Sequence, residues 1–434
     1  MSFHDLRQVQ NIGFVSTRIS GTDGVSLEIA KWAEILEQMG YDCFYVAGFS
    51  DRPADRTRTI ELADFRHPTI REITDAAFSQ PLRTAEITQE IHEAKNIIKQ
   101  ELYAAIKALE LELLIVENAL TIPMNIPLGL ALVEVIMESG IPCIAHHHDF
   151  VWERERFLLN SVEDYLMAAF PPPIKSIEHV IINSIAANEF SRRTGLSSHM
   201  IPNVMDFDTP PAPDDDYGRS FRKDLGLEED DLLILQPTRV VRRKGIEHSI
   251  ELVHRLDPAR AKLVITHGAH DEGDNYLMRV QDYANLLGVE LILAESHIAA
   301  VRGTSPDGRK LYGVWDAYQN ADLVTYPSTY EGFGNAFLET VYYKKPIVCN
   351  RYSIYRTDIE PCGFRAIVMD GYPTDEVVDE MRQVLANETL RQEMVEHNYR
   401  VAKQYFSYKR VATELAAILN RPLPRGLPTD PTTP

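Results

Sequence analysis

The chain has 434 residues, of which 44% are apolar and 25% charged, a composition at the globular average that argues against a disordered or fibrous class. At about 100 to 200 residues per domain, that length calls for two domains and hence a cleft. A formal net charge of −20 disfavours nucleic acid as a partner and gives no general pull toward an anionic membrane, so an anionic ligand must be captured by local cations.

No run of about 18 uncharged apolar residues occurs, so stable membrane insertion is not expected. The opening MSFHDLRQVQNIGF lacks the apolar core and small-residue cleavage site of a signal peptide, and a cytoplasmic location is expected. Cys43, Cys143, Cys349 and Cys362 are too scattered for zinc ligation or a disulfide framework, and read as buried thiols.

In chain order, the first half offers strand candidates at Asn11–Ser16, Cys43–Gly48, Leu113–Glu117, Pro142–His146 and Val180–Asn183. The second half offers Leu232–Thr238, Lys262–His267, Val289–Ala294, Asp322–Pro327 and Pro346–Asn350. Short Val, Ile and Leu runs alternating with helical patterns predict an α/β fold with a doubly wound parallel sheet, formed twice. Between the halves, MDFDTPPAPDDDYGRSF gathers proline and acidic residues and loses the apolar period, as a linker does. The expected division is therefore a first Rossmann-like domain over 1–206 and a second over 207–405. A C-terminal helix over 406–420 is expected to dock back on the first domain, and the proline-rich tail over 421–434 to be disordered.

Strand Leu232–Thr238 runs into RVVRRKG, which puts Arg239 and Lys244 at the carboxyl end of a parallel strand, where open α/β sheets bind ligands. A guanidinium fork and an ammonium point charge suit a diphosphate. A solvated basic turn, with Arg242 and Arg243 alongside, fits the same string. Strand Asp322–Pro327 leads to STYEGFGNAFLETVYY, where Gly332 and Gly334 allow close backbone approach and a helix is predicted to begin near Asn335 with its N–H groups available to an anion. Glu331 lies on that loop and Glu339 on the helix's second turn, so both carboxylates can reach one pocket and bind sugar hydroxyls. An exposed helix glutamate beside a plain glycine turn is the other reading.

Together, R-x-x-x-x-K-G (Arg239, Lys244, Gly245) and P-S-x-x-E-G-F-G-x-x-x-x-E (Pro327, Ser328, Glu331 to Gly334, Glu339) resemble the nucleotide-sugar domain of family 4 retaining glycosyltransferases. That family has the GT-B architecture, two Rossmann-like domains facing a central cleft. The resemblance extends over nearly the whole chain and includes Ile201 to Asp208, similar to the family's P-N-G-V-D strand exit without its glycine. It implies that Arg239 and Lys244 bind the donor diphosphate and stabilise the leaving group, that Glu331 contacts the donor hexose and Glu339 the ribose, and that Gly332, Phe333, Gly334 and Asn335 offer backbone contacts. It also implies no cofactor and no required divalent metal, the nucleotide-diphosphate sugar being a co-substrate. Lys345, where the family often has glycine, and the insertion GTSPDGRK between Gly303 and Lys310, near the expected base site, depart from the pattern.

On the acceptor side, the first strand ends in STRISGTDGVSLEIAKW, where Gly21 and Gly24 bracket a loop entering an amphipathic helix marked by Val25, Ile29 and Trp32. G-x-G-x-x-G is absent, so this is no dinucleotide fingerprint. It resembles the family's N-terminal glycine loop, with Gly24 toward the donor and Arg18 and Gly21 toward the acceptor. Strand Pro142–His146 ends in HHHDFVWERERF, a cluster of His146, His147, His148, Asp149, Arg154 and Arg156. Neighbouring strand residues face opposite sides, so three consecutive histidines are not expected to converge on one ion, and no metal site is expected. The resemblance matches His148 and Asp149 to the family's H-D, whose histidine faces the sugar or acceptor, and His148 joins Arg239, Lys244 and Glu331 as the expected catalytic set. His146, Asp149, Arg154 and Arg156, with Arg18, suit an acceptor carrying a carboxylate or phosphate; surface ion pairing of the arginines with Glu153 and Glu155 is the alternative.

The expected activity is retaining transfer of a hexosyl group, glucose or mannose, from a nucleotide-diphosphate sugar to a small anionic acceptor. The GTDGVSLE loop and the histidine cluster are faintly similar to mannosylglucosylglycerate-type synthases. A polysaccharide or lipid acceptor, sucrose-phosphate synthesis and, outside transfer chemistry, a nucleotide-sugar epimerase are the alternatives. The expected partners are a nucleotide sugar and a small molecule, not nucleic acid, and the oligomeric state is left open.

Overall fold

A computed structural model describes residues 9–21, 23–268 and 274–420, so the tail expected to be disordered lies outside the described residues. Two compact units form, one within Met1–Asn203 and Tyr408–Pro434, the other over Val204–Ser407. No helix among the described residues is long and apolar enough to cross a membrane.

The first unit contains seven strands: β1 (Asn11–Ile19), β2 (Asp42–Ser50), β3 (Thr57–Thr59), β4 (Leu113–Glu117), β5 (Cys143–His147), β6 (Ile177–Ile181) and β7 (His199–Met200). They pair in parallel in the order β3-β2-β1-β4-β5-β6-β7. Central strands of such a sheet are covered on both faces, which is why β4 and the apolar part of β5 read as unbroken apolar runs and are buried throughout. Each fully buried aliphatic side chain, Leu113 and Ile115 among them, contributes about 1.5–3 kcal/mol by leaving water. The helix Gly24–Gln38 follows β1 and buries Ile29, Trp32, Ala33 and Leu36, but also Ser26 and Glu28, while Val25 is only half-buried. The final helix, Tyr408–Ile418, packs against it, and the Tyr408 hydroxyl donates to Glu34 at 3.1 Å.

The second unit contains β8 (Leu232–Gln236), β9 (Ala261–Ile265), β10 (Leu291–Leu293), a hairpin of β11 (Gly303–Thr304) and β12 (Lys310–Leu311), then β13 (Leu323–Tyr326), β14 (Ile347–Asn350) and β15 (Ile367–Met369). Apart from the antiparallel hairpin, these pair in parallel in the order β10-β9-β8-β13-β14-β15. The insertion GTSPDGRK is that hairpin, held by Tyr217, whose single hydroxyl proton is shared between the carbonyls of Gly303 and Leu311 at 2.9 and 2.8 Å. Strands β3, β7 and β15 are additions to the strands expected from the sequence. Each has two or three residues at a sheet edge, too short to establish an alternating or continuous apolar pattern.

Strand order, more than strand content, positions the site. In the first sheet the chain reverses direction between β1 and β4, and in the second between β8 and β13. Such reversals leave a crevice at the carboxyl ends of the two neighbouring strands, the place where open α/β sheets take ligands.

Candidate active site

At the β8–β13 reversal, Arg242–Lys244 form a tight turn capped by Gly245 at φ 60°, after which the helix Ile246–Leu256 begins. A Cβ on Gly245 would stand 2.6 Å from the Pro327 carbonyl, so glycine lets this turn lie directly on the loop after β13. Thr329 N–H joins the two loops by donating to the Arg243 carbonyl at 2.8 Å, and the side-chain amide of Gln236, at the end of β8, donates to the Lys244 carbonyl at 3.1 Å.

Lys244 is buried and hydrogen-bonds the Glu331 carboxylate, itself 7% exposed, while its ammonium lies 5.4 Å from the Tyr326 ring centroid. Arg243 donates to the other Glu331 oxygen at 2.8 Å and to the Tyr330 carbonyl at 3.2 Å. Burial pushes the Glu331 carboxyl up, but the charges of Lys244 and Arg243 outweigh it and hold the group below the ordinary glutamate range. Burial, with Arg243 and Arg239 nearby, pulls Lys244 below the usual lysine value although Glu331 opposes it. Lys244 and Glu331, expected to serve diphosphate and hexose separately, are thus members of one ion pair. Arg243, named only as part of a solvated turn, is its third member. Arg239 lies on the exposed side of the same loop.

The helix Asn335–Tyr342 starts at Gly334, which adopts φ 123° and would bring a Cβ within 2.2 Å of the Tyr352 hydroxyl. That hydroxyl donates to the Phe333 carbonyl at 2.8 Å, and the Phe333 ring is buried edge-on against Phe406. Gly332 and Asn335 flank this glycine turn at intermediate exposure. Glu339 sits on the second turn, where its carboxylate accepts from the Tyr318 hydroxyl at 2.7 Å, a partner different from those of Glu331.

In the first unit, the loop after β1 is organised by Asp23. It caps the helix through Ser26 N–H at 3.1 Å, accepts from Arg18 at 3.0 Å, and lies between Gly21 at φ 70° and Gly24, the first helical residue. Gly21 N–H donates to Asp51 at 2.7 Å.

The three histidines separate as strand geometry requires. His147 turns to one side, where it meets Thr121 and, at 2.8 Å, His179. His146 and His148 turn to the other, where register pairs His146 with Glu117 at the end of β4. Glu117, wholly buried and singled out by no motif, receives His146 Nδ1 and His148 Nε2 at 3.0 Å each, so the three groups lie within 4.8 Å of one another. This convergence of two alternate histidines with a carboxylate from the neighbouring strand was not expected from three consecutive histidines. The signal available was an acidic residue ending the apolar run LLIVE at the same sheet edge. Asn118 follows in the left-handed region at φ 61° and secures the next loop, accepting from His148 N–H and donating to Asp149, both at 3.1 Å. Arg154 pairs with Asp149, a partner other than the Glu153 and Glu155 of the alternative reading, while Glu153 accepts from Phe150 N–H at 2.6 Å. Arg156 carries no ion pair among the described residues and contacts Met124 Sδ and the Phe157 ring.

Burial lowers His179 from 6.5 to about 4, and burial, with the neighbouring imidazoles, holds His147 well below the ordinary histidine range. Depressed histidines add stability that is complete above about 6.5 and lost as pH falls toward the folded value, worth about 3 kcal/mol for His179. The thermal midpoint of the first unit is therefore expected to fall between pH 6.5 and 4. His179→Asn, which preserves a group at the Nδ1 position, should shrink that fall; a flat wild-type midpoint would refute the assignment.

Comparison with known proteins places the chain in a class. Residues 308–401 match the family described as Glycosyl transferases group 1. The chain is 33% identical over 382 residues to mannosylglucosylglycerate synthase of Petrotoga mobilis, covering 82% of this chain and 86% of that protein. It is 31% identical over 422 residues to the Thermotoga maritima protein of the same name, covering 90% and 95%. Among solved structures, Anabaena HepE in complex with UDP and glucose shares the fold with a TM-score of 0.64 at 13% identity, covering 94% of this chain and 99% of that one. Sucrose-phosphate synthase from Thermosynechococcus elongatus does so with a TM-score of 0.63 at 14% identity, covering 95% and 98%. Two Rossmann-like units with these likenesses define a glycosyltransferase of GT-B fold. The chain belongs to the GT4-type group 1 glycosyltransferases and is homologous to the mannosylglucosylglycerate synthases over most of its length.

Proposed function

We propose that the protein is a retaining hexosyltransferase that moves glucose or mannose from a nucleotide-diphosphate sugar to a small acceptor carrying a carboxylate. The observation that carries this reading is the buried Lys244, beside Arg239 and Glu331, at the sheet reversal of the second unit. In a chain of net charge −20, two cations at that point supply the local attraction a diphosphate needs. The donor diphosphate takes Arg239 and Lys244 as partners, Glu331 accepts from a hexose hydroxyl, and Glu339 accepts from the ribose. Two relatives named for a glycerate product, and a neighbour that holds UDP and glucose, support the acceptor and donor classes. Arg156, with Arg18 and Arg154, is the cation set for the acceptor carboxylate, and His148 is the histidine that meets substrate.

In this reading the bond from the anomeric carbon to the diphosphate oxygen breaks while the acceptor oxygen bonds to the same face. The acceptor proton passes to the departing phosphate. Catalysis is electrostatic: Arg239 and Lys244 neutralise charge developing on the diphosphate, in a site where burial makes each charge count for more than in water. Because two side-chain cations do this work, turnover is expected to persist in excess chelator, and strict dependence on a divalent ion would sink the mechanism. The decisive assay incubates the full chain with a panel of nucleotide sugars and small carboxylated or phosphorylated acceptors. Products are read by mass and by the anomeric configuration in NMR. Inversion overturns retention, and donor isomerisation without acceptor points instead to an epimerase.

A further inference from the structure

Around Glu117 the first unit gathers several buried titratable groups. Glu117 is wholly buried at the end of β4, with His146 at 1% and His148 at 10% side-chain exposure. From the helix Gly24–Gln38, Glu28 contributes a second carboxyl group at 1% exposure, paired with Lys31 at 2.6 Å, and its charge reaches both rings. Trp32 of that helix stacks on His146 at 4.1 Å, and on the solvent side Asp149 faces His148 while pairing with Arg154. The buried groups are thus two carboxyls, one ammonium and two imidazoles, and one imidazolium brings their charges into balance. Unbalanced buried charge is costly, so the balanced state is favoured.

We propose that Glu117 is a positioning residue that holds His148 as an imidazolium, with Nε2 bonded inward to the carboxylate and Nδ1 left to meet the substrate. Geometry selects His148 over His146. The Nε2 of His146 is buried without a hydrogen-bond partner, a poor place for a second N–H, whereas His148 Nδ1 makes no protein hydrogen bond among the described residues and belongs to the more accessible ring. Burial acts against charge on both rings; it prevails at His146, while the Glu117 bond and charge prevail at His148. The same orphaned nitrogen argues against an ion held by these three groups, since a ligating imidazole ordinarily donates its other N–H to an outer partner. His148 then presents an N–H donor and a positive charge to a sugar or phosphate oxygen and takes no proton from the acceptor, which matches a transfer in which the leaving phosphate does so.

The inference rests on the reading of His148 as substrate-facing, and two measurements separate the pair. Ring nitrogen NMR of the full chain, with His148 assigned through His148→Asn, should show both nitrogens protonated at pH 7. In Glu117→Gln, which keeps shape but removes the charge, the ring should titrate at least one pH unit lower, with Glu117→Asp restoring the wild-type value. In transfer assays, kcat/KM should decline as pH rises through the His148 titration. Glu117→Gln should move that limb to lower pH, about a tenfold loss on the alkaline side recovered on acidification. A neutral ring at pH 7, an unmoved ring in Glu117→Gln, or one equivalent of tightly bound metal lost in Glu117→Gln each overturns the proposal. A profile that responds to His148→Asn but not to Glu117→Gln overturns it alone. A ring shift with turnover indifferent to both substitutions overturns it together with the substrate-facing reading.

Discussion

Lys244→Ala is expected to lower kcat/KM for sugar transfer by roughly 10²–10³-fold, the usual loss when a charge-stabilising donor is removed from a buried site. The cause is specific to position. Lys244 lies where β8 and β13 diverge, already desolvated, so its charge is little screened and needs no rearrangement when charge develops on the departing diphosphate. Far-ultraviolet circular dichroism should be unchanged, because the sheet and the helix Ile246–Leu256 do not depend on that ammonium. Stability, however, should fall, since Glu331 would lose one of the two cations that neutralise it, and breaking a buried ion pair costs about 3–5 kcal/mol. The double substitution Lys244→Met with Glu331→Gln separates the two effects: it should recover much of the thermal midpoint and none of the turnover. Lys244→Arg is not expected to be a rescue, because a planar guanidinium fork does not reproduce a compact ammonium charge placed over Tyr326 and beside Arg243. Near-normal turnover of Lys244→Ala would remove this residue from the mechanism.

Gly334→Ala should be as damaging by a different route. At φ 123° an alanine is strained by about 1–3 kcal/mol whatever its surroundings. Its Cβ also arrives 2.2 Å from the Tyr352 hydroxyl, which bonds the Phe333 carbonyl one residue away. Relief requires either the hydroxyl to leave its carbonyl or the turn between Glu331 and Asn335 to move, and the second displaces the loop proposed to hold the hexose. We expect a lower thermal midpoint together with at least a hundredfold weaker nucleotide-sugar binding by calorimetry, on the scale of a misplaced binding group. Tyr352→Phe removes the colliding oxygen and leaves the ring carbon at 3.3 Å. The pair Gly334→Ala with Tyr352→Phe should therefore regain part of the stability, the backbone strain remaining. If Gly334→Ala alone binds donor normally, the glycine is a turn and nothing more.

Both predictions fall on motifs legible in the sequence itself. RVVRRKG and EGFG stand out because a cationic turn and a glycine-flanked carboxylate each follow a run of Val, Ile and Leu, and only the carboxyl end of a buried parallel strand offers that sequence of environments. The long central strands were legible for the same reason: burial on both faces writes itself as an uninterrupted apolar run, as in LLIVE and LLILQ. Edge strands of two or three residues, such as His199–Met200, leave no such trace. The buried Glu28 interrupts the apolar stripe expected from Val25, Ile29 and Trp32: it lies on the same helix face and pairs with Lys31 of that helix, while its charge reaches His146 and His148.

The sequence by itself determined that this chain is an α/β protein with a parallel sheet formed twice. It also determined which loops carry cations and carboxylates, since periodicity and residue type are local properties. Only the tertiary structure decided who those groups meet. Glu117 and His146 are 29 positions apart and Arg243 and Glu331 are 88 apart, and each pair forms because β4 lies beside β5 and β8 beside β13. Strand order is a cooperative result of packing two faces at once. It turned Lys244 and Glu331 from two separate ligand contacts into one buried ion pair, and divided three adjacent histidines between an uncharged pair and a carboxylate.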